Sequence, residues 1–232
     1  MKAARFLVTS AVAVLCLVSF LPGQDKYFLD LTEPGSTAPP ESSGFGCGPR
    51  LGGGSEDRGP VQPIALLVLE TASFDKTAYA LGEEMVCQIR LRNAGAKPVP
   101  IPWSADSRYR NKDCSGAVKD PARAVLDATF GLHLVTDSGL KRVVPLVSLY
   151  GRMANPETFR LLKAGESATV KFRARLYFVE AGPTESGAGT LHLPQIFVAT
   201  VTCNLDDTSL RNPYQTLKSD NEVRLTLTEA PR

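Results

Sequence analysis

The chain has 232 residues, with 26 lysines and arginines against 24 aspartates and glutamates, and five cysteines. Lys2 and Arg5 carry the whole basic excess, so residues 24–232 are electrically balanced. That balance excludes the sequence-independent nucleic-acid binding that needs surplus positive charge. The basic stretch at 108–112 is diluted by Asp106 and Asp113 and reads as a solvated loop.

At the N-terminus, Lys2 and Arg5 precede an apolar run, Phe6 to Leu21, that Pro22-Gly23 ends. This is the layout of a secretory signal peptide, so residues 1–23 are expected to be cleaved or, if retained, to act as an N-terminal anchor. A lipid on Cys16 is disfavoured by the bulky Leu15 before it. In either case the rest is expected to be exported, to the periplasm or beyond, with membrane contact only through that segment.

Residues 24–60, rich in glycine, proline and serine, hold too few apolar groups to offset chain entropy and are predicted to be a flexible tether. Within them Tyr27-Phe28-Leu29 either docks on the domain or is a stray apolar segment.

Residues 61–232 change pattern. Strands are predicted at 64–70, 77–79, 85–93, 129–136, 140–147, 159–162, 168–177, 196–203 and 222–227, with turn signals such as Asp137-Ser138-Gly139 between them. Pro98, Pro100 and Pro102 confine their segment to a sheet edge. Asp120 and Pro121 have the form of an N-cap and first position, which predicts one short helix over 121–128. Several short strands without intervening helices indicate an all-β sandwich, with the excess length in loops at 104–128 and 178–190.

Cys87 and Cys203 each fall on the apolar face of a strand, the pattern of two sheets stapled through their core. With Cys16 removed, four cysteines remain in an exported chain, and two disulfides with three open connectivities are expected. The pattern favours Cys87–Cys203, leaving Cys47–Cys114 by elimination.

Four strings carry a resemblance: Tyr79-Ala80-Leu81-Gly82-Glu83, Leu91-Arg92-Asn93-Ala94-Gly95-Ala96-Lys97-Pro98-Val99, Leu162-Lys163-Ala164-Gly165-Glu166-Ser167 and Ser219-Asp220-Asn221-Glu222-Val223. They resemble immunoglobulin-like domains of exported bacterial proteins and, more weakly, a bacterial proteinase-inhibitor sandwich. The resemblance implies an all-β, immunoglobulin-like antiparallel β-sandwich with long loops. It implies a binding or adhesive role rather than chemistry. Val201 stands where antibody-type domains carry a corner tyrosine, and Trp103 follows a proline-rich edge.

No nucleophile motif, zinc motif or phosphate loop is present. His133 and His192 sit between apolar neighbours and read as strand histidines. Asn204, Asp206, Asp207, Asp220 and Asn221 match no calcium-loop spacing and read as solvated turns. No catalytic residue, cofactor or metal is expected. Trp103, Tyr109 and Tyr150 are the candidate ligand contacts, because exposed aromatics stack on sugars, the alternative for Trp103 being that it fills the sandwich edge. The expectation is an exported, non-enzymatic binding or structural module of the cell envelope, with an unknown protein or glycan partner. The alternative is a protease inhibitor presenting a loop.

Overall fold

The computed structural model describes residues 25–33, 67–110, 123–177, 192–208 and 214–230. Side chains of period two drive its long elements. In β4 (Glu84–Asn93) Met85, Cys87, Ile89 and Leu91 point inward while Gln88 faces water. The other strands are β1 (Tyr27–Leu31), β2 (Leu67–Phe74), β3 (Ala78–Ala80), β5 (Val99–Pro102), β6 (Val125–Val135) and β7 (Lys141–Arg152). After them come β8 (Phe159–Leu162), β9 (Ser167–Arg175), β10 (Gln195–Asp207), β11 (Tyr214–Lys218) and β12 (Val223–Thr228). Two short 3-10 turns, Ser107–Tyr109 and Pro156–Thr158, are the remaining regular elements described.

The chain is an all-β sandwich. One sheet has the order β1-β9-β4-β2 and the other β3-β12-β10-β6-β7, with β11 also on β10; β5 and β8 form a two-stranded sheet of their own. The inner faces meet in one core holding Phe130, Phe172, Phe197, Met85 and Leu132. Lettering β2, β4 and β9 as A, B and E, and β12, β10, β6 and β7 as G, F, C and C′, gives an immunoglobulin-like strand order. The pairing is not wholly antiparallel as expected: β1 runs parallel to β9, and β3 parallel to β12.

Within the expected tether, Tyr27-Phe28-Leu29 docks on the domain as part of β1, so residues 27–31 are strand rather than flexible linker. Tyr27, Leu29 and Leu31 alternate with exposed Phe28 and Asp30, and the strand fills the sheet edge beside β9. Residues 125–128 are likewise strand, not helix. Leu126 and Ala128 face the core and pair through β10 and β7, so sheet pairing overrides the local helix-start signal.

The expected Cys87–Cys203 bridge is absent: both are free, buried thiols. Each faces inward, but at different levels. Cys203 pairs with Leu217, and Ser219, two residues on, bridges Leu69 of β2. Cys87 pairs with Phe74 at the far end of β2. At about 3.3 Å per residue the two lie roughly 20 Å apart along the strands, far beyond the roughly 7 Å Cα limit for a disulfide. Burial pushes both thiols well above the ordinary cysteine range, so neither is a reactive thiolate. Cys47 and Cys114 lie outside the described residues.

Side-chain amides stitch the layers. Buried Asn93 donates to Lys97 O (2.8 Å) and Leu162 O (2.9 Å) and accepts from Gly95 N (2.8 Å). Its backbone bonds Glu166 O and Gly165 N, and Gly165, at φ +77°, has the left-handed conformation this turn requires. Tyr79 does the locking that the corner tyrosine does elsewhere: its hydroxyl donates to Asp75 Oδ1 (2.7 Å) and accepts from Lys76 N (2.9 Å).

Candidate functional site

The outer faces of the two sheets differ in how their polar groups are paired. On the first, Glu70 accepts from both Arg90 (2.9 Å) and Arg92 (3.0 Å), and Arg90 also holds Asp25 (2.7 Å). These charges satisfy one another.

On the second sheet, strand register builds two cross-strand rungs. One runs Tyr150–Asp127–Asp206 across β7, β6 and β10. The next runs Ser148–Thr129–Asn204–Thr216 and reaches β11. The side chains face outward because they alternate with buried Leu149, Leu126, Ala128, Leu205 and Cys203. Ser148 Oγ donates to Thr129 Oγ1 (3.3 Å), Thr216 Oγ1 to Asn204 Oδ1 (3.0 Å), and the Arg152 guanidinium to Asp127 Oδ1 (3.4 Å).

Asp206 is the exception on this face. It is half-buried, and its carboxylate has no hydrogen-bond partner among the described residues. Burial, helped by the charge of Asp207, raises its pKa to about 6. A carboxylate that a rigid sheet holds poorly solvated and unpaired costs stability, and such positions cluster at functional sites. An acid whose folded-state pKa exceeds its unfolded value binds its proton more tightly when folded. Its destabilising effect is therefore nil below about pH 4, grows as pH rises through about 6, and is complete above that. Discounted for partial solvent screening, Asp206→Asn is expected to gain about 1 kcal/mol at pH 7.5 and nothing at pH 4. Urea melts at the two pH values measure this, and an equal effect at both would contradict it.

Tyr109 and Tyr150, two of the three expected ligand contacts, are brought to the same end of β7. Tyr150 exchanges backbone bonds with Ser104, at 2.7 and 3.2 Å. The Tyr109 hydroxyl accepts from Asn155 Nδ2 (3.5 Å), and Asn155 bridges Arg152. Both rings are half-buried. Trp103 is corrected: it is 7% exposed, its ring packs edge-on against Tyr27 at 5.9 Å, and it is a core residue rather than a contact.

His133 lies half-buried on the outer face between Thr200 and Val143, and His192 is exposed near the far end of β10. The residues weighed for calcium do not converge. Asn204 and Asp206 face out, Asp207 is buried on the opposite side of its strand, and the Asn221 amide is bonded to Ala72. Among the described residues no group of three or more His, Cys, Asp or Glu side chains is placed to hold a metal ion. Nor is any described helix long and apolar enough to cross a membrane. Residues 111–122 and 178–191, which include most of the loops expected at 104–128 and 178–190, lie outside the described residues.

Sequence reasoning missed Asp127 and Arg152. The signal for Asp127 was present, since Asp127 and Thr129 alternate with Leu126, Ala128 and Phe130.

No protein-family model and no curated protein matches the chain. Among solved structures it is similar to the sporulation control protein Spo0M of Bacillus subtilis, at 14% identity over 72% of this chain and 51% of that one, TM-score 0.31. It is similar also to the C-terminal domain of Wzt, at 8% identity over 73% and 81%, TM-score 0.31. A third is the alkylpurine DNA glycosylase AlkC of Pseudomonas fluorescens, at 11% identity over 72% and 31%, TM-score 0.30. The chain thus spans about half the length of Spo0M. Likeness at this level carries no argument about ligand or activity.

Proposed function

We propose that this chain is an exported, non-enzymatic binding module of the cell envelope, built on an immunoglobulin-like sandwich of the kind found in exported bacterial proteins. Its ligand-contacting surface is the outer face of the six-stranded sheet. The observation that carries this reading is the rung Tyr150–Asp127–Asp206, in which an unpaired carboxylate and a half-buried ring are held in register on rigid strands.

The neighbouring rung adds hydroxyls and an amide from Ser148, Thr129, Asn204 and Thr216. A pleated row of acceptors and donors beside a tyrosine ring is suited to a glycan, whose hydroxyls bond to carboxylate and amide while its apolar face stacks on the ring. The other sheet supports the assignment by contrast, because Asp25, Glu70, Arg90 and Arg92 on its outer face are already spent on one another.

The test is a heteronuclear NMR titration of the purified chain with cell-envelope polysaccharides. Shift changes are expected to gather on residues 127, 129, 150, 204 and 206. Tyr150→Ala and Asp206→Asn are each expected to weaken the response by at least tenfold. Shifts confined to the β1-β9-β4-β2 face would overturn the reading.

A further inference from the structure

β1 is an edge strand, paired only with β9. Most of the core comes from the other strands, and β1, which adds Leu31 to it, is laid on the outer edge of β9 and joined to β2 through residues 34–66. What holds it there is side-chain recognition as well as the parallel ladder from Tyr27↔Ala168 to Leu31↔Phe172.

The anchors come in order along the strand. The Asp25 carboxylate accepts from Arg90 Nε (2.7 Å) and from Thr169 Oγ1. Lys26 Nζ donates to both oxygens of Glu166, at 3.0 and 2.8 Å. The Tyr27 ring lies against Trp103, with Arg160 at 6.0 Å from its centroid and its hydroxyl donating to Leu161 O (3.4 Å). Leu31 is buried in the core. Every acceptor group is contributed by residues 90 to 172, so the slot would recognise the same segment whichever copy of the chain supplied it. Without a strand there, the β9 edge would present a row of unpaired N–H and C=O groups to other chains.

We propose that the β9 edge is a strand-acceptor slot through which two copies of this chain exchange β1, residues 25–31 of each pairing with β9 of the other. Strand addition of this kind takes its affinity from main-chain bonds and its selectivity from alternate side chains, here Tyr27, Leu29 and Leu31 on the core side, with Asp25 ahead of the strand held by Arg90 and Thr169 on the outer side. The sequence that fits is carried by every copy, and exchange makes no contact the single chain lacks, which makes such swapping a low-cost route to a dimer. Residues 34–66 are long enough, at most about 110 Å fully extended, to let β1 reach a neighbouring molecule.

The experiment uses exposed Asp30 and half-buried Lys171, which face each other across the ladder. Full chains carrying Asp30→Cys alone and Lys171→Cys alone are mixed at high concentration, oxidised and mapped by mass spectrometry, so that any 30–171 link is intermolecular. The expected result is a 30–171 linked dimer whose yield rises with concentration and falls at least tenfold when Tyr27→Ala is added to the Asp30→Cys chain. A chain carrying both cysteines reports whether β1 reaches the slot at all. Links found only within that chain, with none in the mixture, would overturn the proposal. So would a mixed link undiminished by Tyr27→Ala, which reports collision, and so would no 30–171 link in any sample.

Discussion

Asn93→Ala is expected to lower the unfolding free energy by about 3 kcal/mol. Asn93 is fully buried at the end of β4. Its amide satisfies three backbone groups, and they are not equivalent. Lys97 is exposed and Gly95 partly so, and water can replace the lost bond at each. Leu162 is fully buried, so its carbonyl loses a partner that water cannot supply. The dominant cost is that stranded acceptor, about 1–3 kcal/mol, with smaller losses from the two re-solvated groups. For a domain of this size the melting temperature should fall by about 10 °C. Asn93→Asp should be no milder, because it removes both donors and buries a charge. Urea unfolding with an unchanged m-value would confirm a native-state effect, and a loss below about 1 kcal/mol would show that the loop rearranges to spare Leu162.

Asn93 also shows what was legible in the sequence. Leu91-Arg92-Asn93-Ala94-Gly95 and Leu162-Lys163-Ala164-Gly165-Glu166-Ser167 were recognised as separate strings. In the fold they are one junction, joined by Asn93 to Leu162, Gly165 and Glu166. β4, whose buried face alternates throughout, and β9, whose second half does, stand close to where the sequence placed them, because that periodicity is a local property. β1 could not be read the same way. A five-residue strand amid proline and glycine gains its stability from the β9 edge and from Arg90, Thr169 and Trp103, all distant in sequence.

The same limit governs the cysteines. Alternation revealed which face Cys87 and Cys203 occupy, but the level of each along its strand depends on how two sheets register, which no single strand encodes. β10 continues past Cys203 because Leu205 and Asp207 prolong the buried alternation, although Asn204-Leu205-Asp206-Asp207 has the composition of a turn. The candidate face emerged only from that continuation, since Asp206 meets Asp127 in the last turnless stretch of β10.

Asn221→Ala is expected to cost about 2–4 kcal/mol by unhooking the two sheets along one side. Between β11 and β12 the chain leaves β10, and Ser219 bridges Leu69 of the facing sheet. Asn221 then acts as a short piece of strand. Its Oδ1 accepts from Ala72 N (2.8 Å) and its Nδ2 donates to Ala72 O (2.7 Å). Ala72 is buried, so truncation leaves a donor and an acceptor unpaired together, each at about 1–3 kcal/mol before relaxation. Asn221→Asp separates the two bonds. An ionised carboxylate still accepts from Ala72 N but faces Ala72 O with a second acceptor, and that half of the clamp turns repulsive. Protonation restores an O–H donor, so the stability gap between Asn221→Asp and the unaltered chain should narrow on going from pH 7 to pH 3, while the Asn221→Ala gap stays constant. Parallel urea titrations at the two pH values read both gaps. A clamp made by the amide requires the aspartate gap alone to move, and two gaps that shift together would place the effect of residue 221 in something other than its bonds to Ala72.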